Sequence, residues 1–228
     1  RVAMRLIDAA GRQPIQCHPD AQAADARFNR PCDGAKAWFV LGTRQMDIAD
    51  EPHLFAGLRE TVSPEAFETA IRRGDSDTLE EMLYRFTVQP GEMFFMPPGL
   101  PHAFGAGLMG VEVSDTNVPA LIADSCCGET VLTDAQRYAG LTPETAISLF
   151  DRQPKHELDL VETIKLAPNI LHRSDEGVRN ELVGADRTKA FSFLRADIVG
   201  RMTVKLPREF GLALIASGEG RIAWAGGS

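Results

Sequence analysis

The run Gly91-Glu-Met-Phe-Phe-Met-Pro97-Pro-Gly99-Leu-Pro-His102 constrains the fold of this chain more than any other segment. A glycine turn feeds a short apolar strand, Phe94–Met96, and a Pro-x-Gly reversal then delivers a histidine to the next strand. Proline fixes one dihedral and glycine supplies the positive φ that such a reversal needs, so the turn itself sets where the imidazole points. Apolar runs of similar length recur at Met4–Ile7, Trp38–Leu41, Phe86–Val88 and Val111–Val113. They are rich in β-formers and divided by turn residues, with 20 glycines and 14 prolines as punctuation. This is the pattern of a sandwich or barrel, not of alternating strands and helices.

Helices enter as insertions. Ser63-Pro64-Glu65 places a cap before a first-turn proline, and Phe67, Ala70 and Ile71 then share one face. Asp77-Thr78-Leu79-Glu80 has the spacing of a capping box. Thr142-Pro143-Glu144 opens a third helix, expected to run to Leu149-Phe150. Short strands are expected again at Phe191–Leu194, Met202–Leu206 and Leu212–Ala216, and Gly218-Glu-Gly220 turns into Arg221–Ala225.

Charge and composition narrow the function. With 24 Lys+Arg against 32 Asp+Glu the chain carries a net charge of −8, without the basic excess of a nucleic-acid binder and poorly matched to anionic membranes. No apolar run approaches the roughly 18 residues that span a bilayer. The four cysteines, 17, 32, 126 and 127, form no CxxC pair, so a disulfide framework or Cys-rich zinc ribbon is not expected and a reducing, cytoplasmic setting is. The chain opens inside a strand-like run and stops just after another, which reads as a piece of a longer protein.

Gln16-Cys17-His18 supplies a second chemical element. In an extended strand residues i and i+2 project to one side, so Gln16 and His18 share a face while Cys17 turns away. An amide oxygen and an imidazole nitrogen both ligate first-row metals, and with His102 they make a candidate set of three.

The Gly-x5-Pro-x-Gly-x2-His spacing resembles a motif of the cupin superfamily. Leu6-Ile-Asp-Ala9, Ile15-Gln-Cys-His-Pro-Asp20, Ala37-Trp-Phe-Val-Leu41, Gly99-Leu-Pro-His-Ala103 and Val111-Glu-Val113 occur in the order and spacing of the type I phosphomannose isomerases. The resemblance is close over residues 1–113 and looser beyond. It implies a mainly β protein of cupin jelly-roll type in a double-cupin arrangement. A metal-binding barrel would span 1–119 with a helical insertion about 63–85. A partly helical connector would span 120–180, and part of a second barrel 181–228. It further implies a zinc ion on Gln16, His18 and His102. The activity implied is the interconversion of mannose 6-phosphate and fructose 6-phosphate, with a sugar phosphate as partner and neither nucleic acid nor membrane involved.

Carried over residue by residue, some family positions do not match. The family's glutamate ligand, two residues before Trp38, falls on Lys36, and its lysine two residues earlier falls on Gly34. A family arginine falls near Pro119, and a first-strand lysine becomes Arg5. A lysine ammonium repels a divalent cation. Lys36 is therefore neutralised by burial, or turned elsewhere by a strand shift, or Glu112 takes the vacant ligand place, or the metal site is weak or empty. Glu112, with Asp115 second, is the candidate proton shuttle. Arg5 is the candidate phosphate clamp, and Lys36 is counted with it as substrate-binding. Two other readings stand beside this one: a degenerate barrel that binds a sugar phosphate without turnover, and an iron-dependent oxygenase using His18, Asp20 and His102 as a facial triad. Asp20 opposes the latter, because it reads as the cap of a short helix. His53, His156 and His172 read as loop or solvated residues.

Overall fold

A computed structural model describes residues 2–30, 32–47, 51–115, 119–204 and 210–223. The strands follow the apolar runs: β1 (Val2–Asp8), β2 (Gln16–Cys17), β3 (Lys36–Thr43), β4 (His53–Leu58), β5 (Leu83–Thr87), β6 (Met93–Met96), β7 (His102–Phe104) and β8 (Leu108–Asp115). After them come the short strands β9 (Leu121–Ile122), β10 (Cys126–Cys127), β11 (Thr130–Val131) and β12 (Lys165–Leu166), then β13 (Asn169–Ser174), β14 (Gly177–Val183) and β15 (Phe193–Ile198). The helices are α1 (Ala21–Phe28), α2 (Pro64–Arg73), α3 (Ser76–Met82), α4 (Asp134–Arg137), α5 (Pro143–Ser148) and α6 (Glu157–Ile164).

Two five-stranded sheets face each other, ordered β1-β8-β3-β6-β12 and β5-β4-β7-β2-β9, with antiparallel neighbours throughout. The period of two along each strand sorts the residues. Trp38 and Val40 of β3, Phe94 and Met96 of β6 and Leu108 of β8 point inward, where they meet Leu54, Ala56 and Phe104 of the other sheet. The alternate residues Ala37, Phe39, Phe95, Val111 and Val113 point out of the first sheet and are covered by Leu182, Val183 and Phe191 around β14. Cys17, Phe55, Ala103 and Leu121 point out of the second sheet and are covered by Phe67, Ala70 and Ile71 of α2, Leu79 of α3 and Ile147 of α5. The fold is thus a mainly β cupin sandwich with a helical insertion packed on its back.

The Pro-x-Gly reversal sits between β6 and β7. Gly99 has φ +78°, and its N–H donates to the His18 carbonyl at 2.7 Å, tying the turn to the end of β2. Asp20 caps α1, accepting from the Ala23 N–H at 2.7 Å, and Ser63 caps α2. The cap of α3 is Asp75, not Asp77. Gly74, at φ +63°, ends α2 so abruptly that the next residue already accepts from Thr78 N–H. α5 ends at Ser148 and not at Phe150. His53 is no loop residue: it opens β4, buried, with Nδ1 2.7 Å from the Glu51 carbonyl. Beyond β15 the described residues 199–204 and 210–223 form no strand, so Leu212–Ala216 is irregular and its apolar side chains are exposed. Parts of Met202–Leu206 and Arg221–Ala225 lie outside the described residues. No helix among the described residues is long and apolar enough to cross a membrane.

Asp124 is fully buried where the helical layer meets β2. It accepts from both Arg12 Nη atoms at 3.0 Å and from the Ile15 N–H at 2.5 Å. Asp124→Asn leaves the Arg12 guanidinium short of its buried counterion. We expect a loss of about 3 kcal/mol or more, read as a lower urea midpoint at unchanged slope.

Candidate functional site

β2, β3, β7 and β8 bring most of the sequence-derived candidates to one end of the sandwich interior. Gln16 and His102 are directly opposite in the β2–β7 pair, so their side chains leave the sheet on the same face. His18 follows two residues after Gln16, and its ring stacks on His102 with centroids 5.5 Å apart and planes at 23°. Both imidazoles are buried. His102 Nδ1 lies 2.7 Å from the Leu100 carbonyl, a contact only an N–H can make, so Nε2 carries the lone pair. That Nε2 and His18 Nδ1 are buried with no hydrogen-bond partner among the described residues. Orphaned acceptors of this kind cost free energy unless something outside the protein satisfies them.

The opposite sheet contributes charge. Lys36 is buried and turned inward, its Nζ 3.0 Å from Glu112 Oε2. The same oxygen accepts from Trp38 Nε1 at 3.0 Å, and Oε1 accepts from Arg5 Nη1 at 2.7 Å. The pairing register explains the convergence, since Glu112 lies directly opposite Arg5 on β1 and Trp38 on β3. The Trp38 ring in turn meets His102 edge-on at 5.2 Å. β3 is therefore not shifted to turn Lys36 away, and Glu112, offered as a replacement metal ligand, is held by three donors.

These contacts set the protonation states. Burial would raise the Glu112 pKa, but Lys36, Trp38 and Arg5 hold it below the ordinary carboxylate value. Burial lowers the Lys36 pKa against the opposing pull of Glu112. Burial, reinforced by the Lys36 charge, takes His102 down to about 3 and pushes His18 well below its usual range. Both rings are neutral near pH 7, the form that ligates metal.

Asp115 stands apart. It lies on β8 in phase with Val111 and Val113, whose side chains pack outside the sheet, so it faces away from Glu112. Asp20 is spent on capping α1, and no group of three or more His, Cys, Asp or Glu among the described residues is placed to hold a metal. The facial-triad reading thus lacks its carboxylate. Sequence reasoning missed Trp38 as the donor to Glu112 and the Leu100 carbonyl as the anchor of His102. The second was readable in principle, because a carbonyl two residues upstream in a tight turn often fixes a ring.

The depressed pKa of His102 is a stability term with a definite sign. Unfolded, the ring takes up a proton near 6.5; folded, only near 3. Its contribution is fully present above about pH 6.5 and is lost as pH falls through that window, by up to about 1.4 kcal/mol per pH unit per proton. In chelator-treated protein the unfolding free energy should fall across this range, and His102→Asn should flatten the slope by about one proton's share.

No protein-family model matches the chain. The chain is 25% identical over 222 residues to the probable mannose-6-phosphate isomerase GmuF of Bacillus subtilis, covering 96% of this chain and 62% of that protein. It is 27% identical over 113 residues to mannose-6-phosphate isomerase ManA of the same organism, covering 50% of this chain and 33% of that one. The chain therefore spans between a third and two thirds of the length of these curated relatives. Among solved structures, the Bacillus subtilis mannose 6-phosphate isomerase superposes with a TM-score of 0.61 at 17% identity, covering 87% of this chain and 56% of that one. A zinc-bound mannose 6-phosphate isomerase does so at 0.58 and 13% identity, covering 85% and 62%. The chain is thus similar in sequence to mannose-6-phosphate isomerases and shares the fold of solved ones.

Proposed function

We propose that the protein is a sugar-phosphate isomerase that interconverts mannose 6-phosphate and fructose 6-phosphate at this end of the barrel. The observation that carries the reading is the pair of stacked, neutral, buried imidazoles whose Nδ1 (His18) and Nε2 (His102) have no partner among the described residues. With Gln16, which pairs directly opposite His102, supplying an amide oxygen, they would form an N,N,O donor set suited to a divalent ion such as zinc. When bound, the ion supplies Lewis-acid polarisation of the sugar's carbonyl and hydroxyl oxygens.

The chain's own residues supply the rest. Leu100 holds the His102 tautomer, which keeps Nε2 a donor to metal. Glu112, kept ionised by its three donors, moves a proton between the adjacent carbons of the sugar. Arg5 keeps 58% of its side-chain surface exposed while one nitrogen holds Glu112, leaving N–H groups for the substrate phosphate. Lys36 steadies developing negative charge on the sugar oxygens. Asp115, on the outer face, has no part in this scheme. The metal-binding barrel is assigned chiefly to 1–119, with β9 and β12 of the 120–180 connector completing its two sheets, and 181–228, entered within β14, to the start of a second barrel. One observation favours the rival reading of binding without turnover: each Glu112 oxygen already bears at least one cationic or N–H donor.

Elemental analysis with a coupled fructose 6-phosphate assay on the zinc-loaded chain tests the proposal. His102→Ala should strip bound metal while the circular dichroism spectrum stays native. Glu112→Gln should lower kcat by about 10²–10⁴-fold. Metal-loaded wild type that binds mannose 6-phosphate yet produces no fructose 6-phosphate would establish the binding module instead.

A further inference from the structure

Arg5, largely exposed, and Lys36, buried, both donate to the single buried carboxylate of Glu112, which leaves the cluster one positive charge in excess beside two neutral imidazoles. Lys36 and Trp38 meet at the same oxygen, Glu112 Oε2, each at 3.0 Å, and the Trp38 ring lies 5.2 Å from that of His102. The ammonium is therefore carried on the wall against which the histidine pair is packed. In a low-dielectric interior, like charges repel by several times what they would in water.

We propose that Lys36 is a tethered competitor of the divalent cation: its ammonium lowers the metal affinity of the Gln16–His18–His102 site, and Glu112 limits the penalty by neutralising it. The inference rests on those three residues being the metal ligands. Site occupancy is then governed by the net charge of the Arg5–Lys36–Glu112 cluster. Removing Lys36 makes the cluster neutral. Removing the Glu112 charge doubles its excess. Removing both restores the wild-type excess of one.

The test is titration of the chelator-stripped full chain with zinc by calorimetry. A parallel cobalt(II) titration reads quenching of Trp38 in a Trp224→Phe background, which leaves Trp38 as the sole indole. Lys36→Met should bind at least about tenfold more tightly and Glu112→Gln at least about tenfold more weakly, with the double variant near wild type. Affinity in Lys36→Met equal to or below wild type, or Glu112→Gln at wild-type affinity, overturns the proposal. Should Lys36→Met fail to unfold cooperatively, Lys36→Gln, which removes the charge but keeps a donor for Glu112, takes its place. A His102→Ala arm separates the two readings. Unchanged metal affinity in that variant removes the ligand set itself, whereas loss of binding there with no gain in Lys36→Met removes only the competitor.

Discussion

An ionised carboxylate inside a β-sandwich is tolerable only if every charge around it is answered, and Glu112 is where this fold meets that demand. Its partners come from the two strands flanking β8: Arg5 from β1, Trp38 and Lys36 from β3. Leaving one partner unpaired in such surroundings costs several kcal/mol. A slip of either strand by one residue would turn the partner to the other face of the sheet. The cluster thus fixes the register of three adjacent strands as well as the electrostatics beside the histidine pair.

That register in turn decides what kind of site the sandwich can have. Both outer faces are covered, one by the helices and the other by the chain around β14. Most of the interior is filled by Trp38, Val40, Leu54, Phe94, Phe104 and Leu108. The polar side chains gather where Lys36 begins β3 and His102 begins β7. Trp38 bridges the two zones, stacked on Phe104 at 3.9 Å on one side and hydrogen-bonded to Glu112 on the other.

Local chemistry made much of this readable from the sequence. The turn from Gly91 to His102 announced itself, because glycine and proline act through their own dihedrals. Gln16 and His18 followed from the period of two, and Asp20 and Ser63 as caps from their side chains. Lys36 was not readable in the same way. Its environment is built by Glu112, a residue 76 positions away whose alignment depends on pairing across β3 and β8. Asp115 was misjudged because its nearness to Glu112 in sequence hid the odd spacing that sends it outward. Asp77 lost the capping role to Asp75 because Gly74 ends the preceding helix earlier than an apolar pattern can reveal. The apolar alternation of 212–216 looks like a strand, yet a strand exists only where a neighbour offers its backbone, and no described residue does so there.

Gly34 sits at φ +68° with the Pro19 carbonyl oxygen 2.2 Å from where a Cβ would stand, and Pro98 close behind. The segments that carry His18 and lead to His102 are thereby pressed together against bare main chain. Their border is a seam of peptide planes, and peptide planes cannot be exchanged by altering a codon. A side chain at position 34 is therefore admitted only if the loop after His18 or the loop before β3 gives way, so the side chains free to vary on this flank are those of the charged wall.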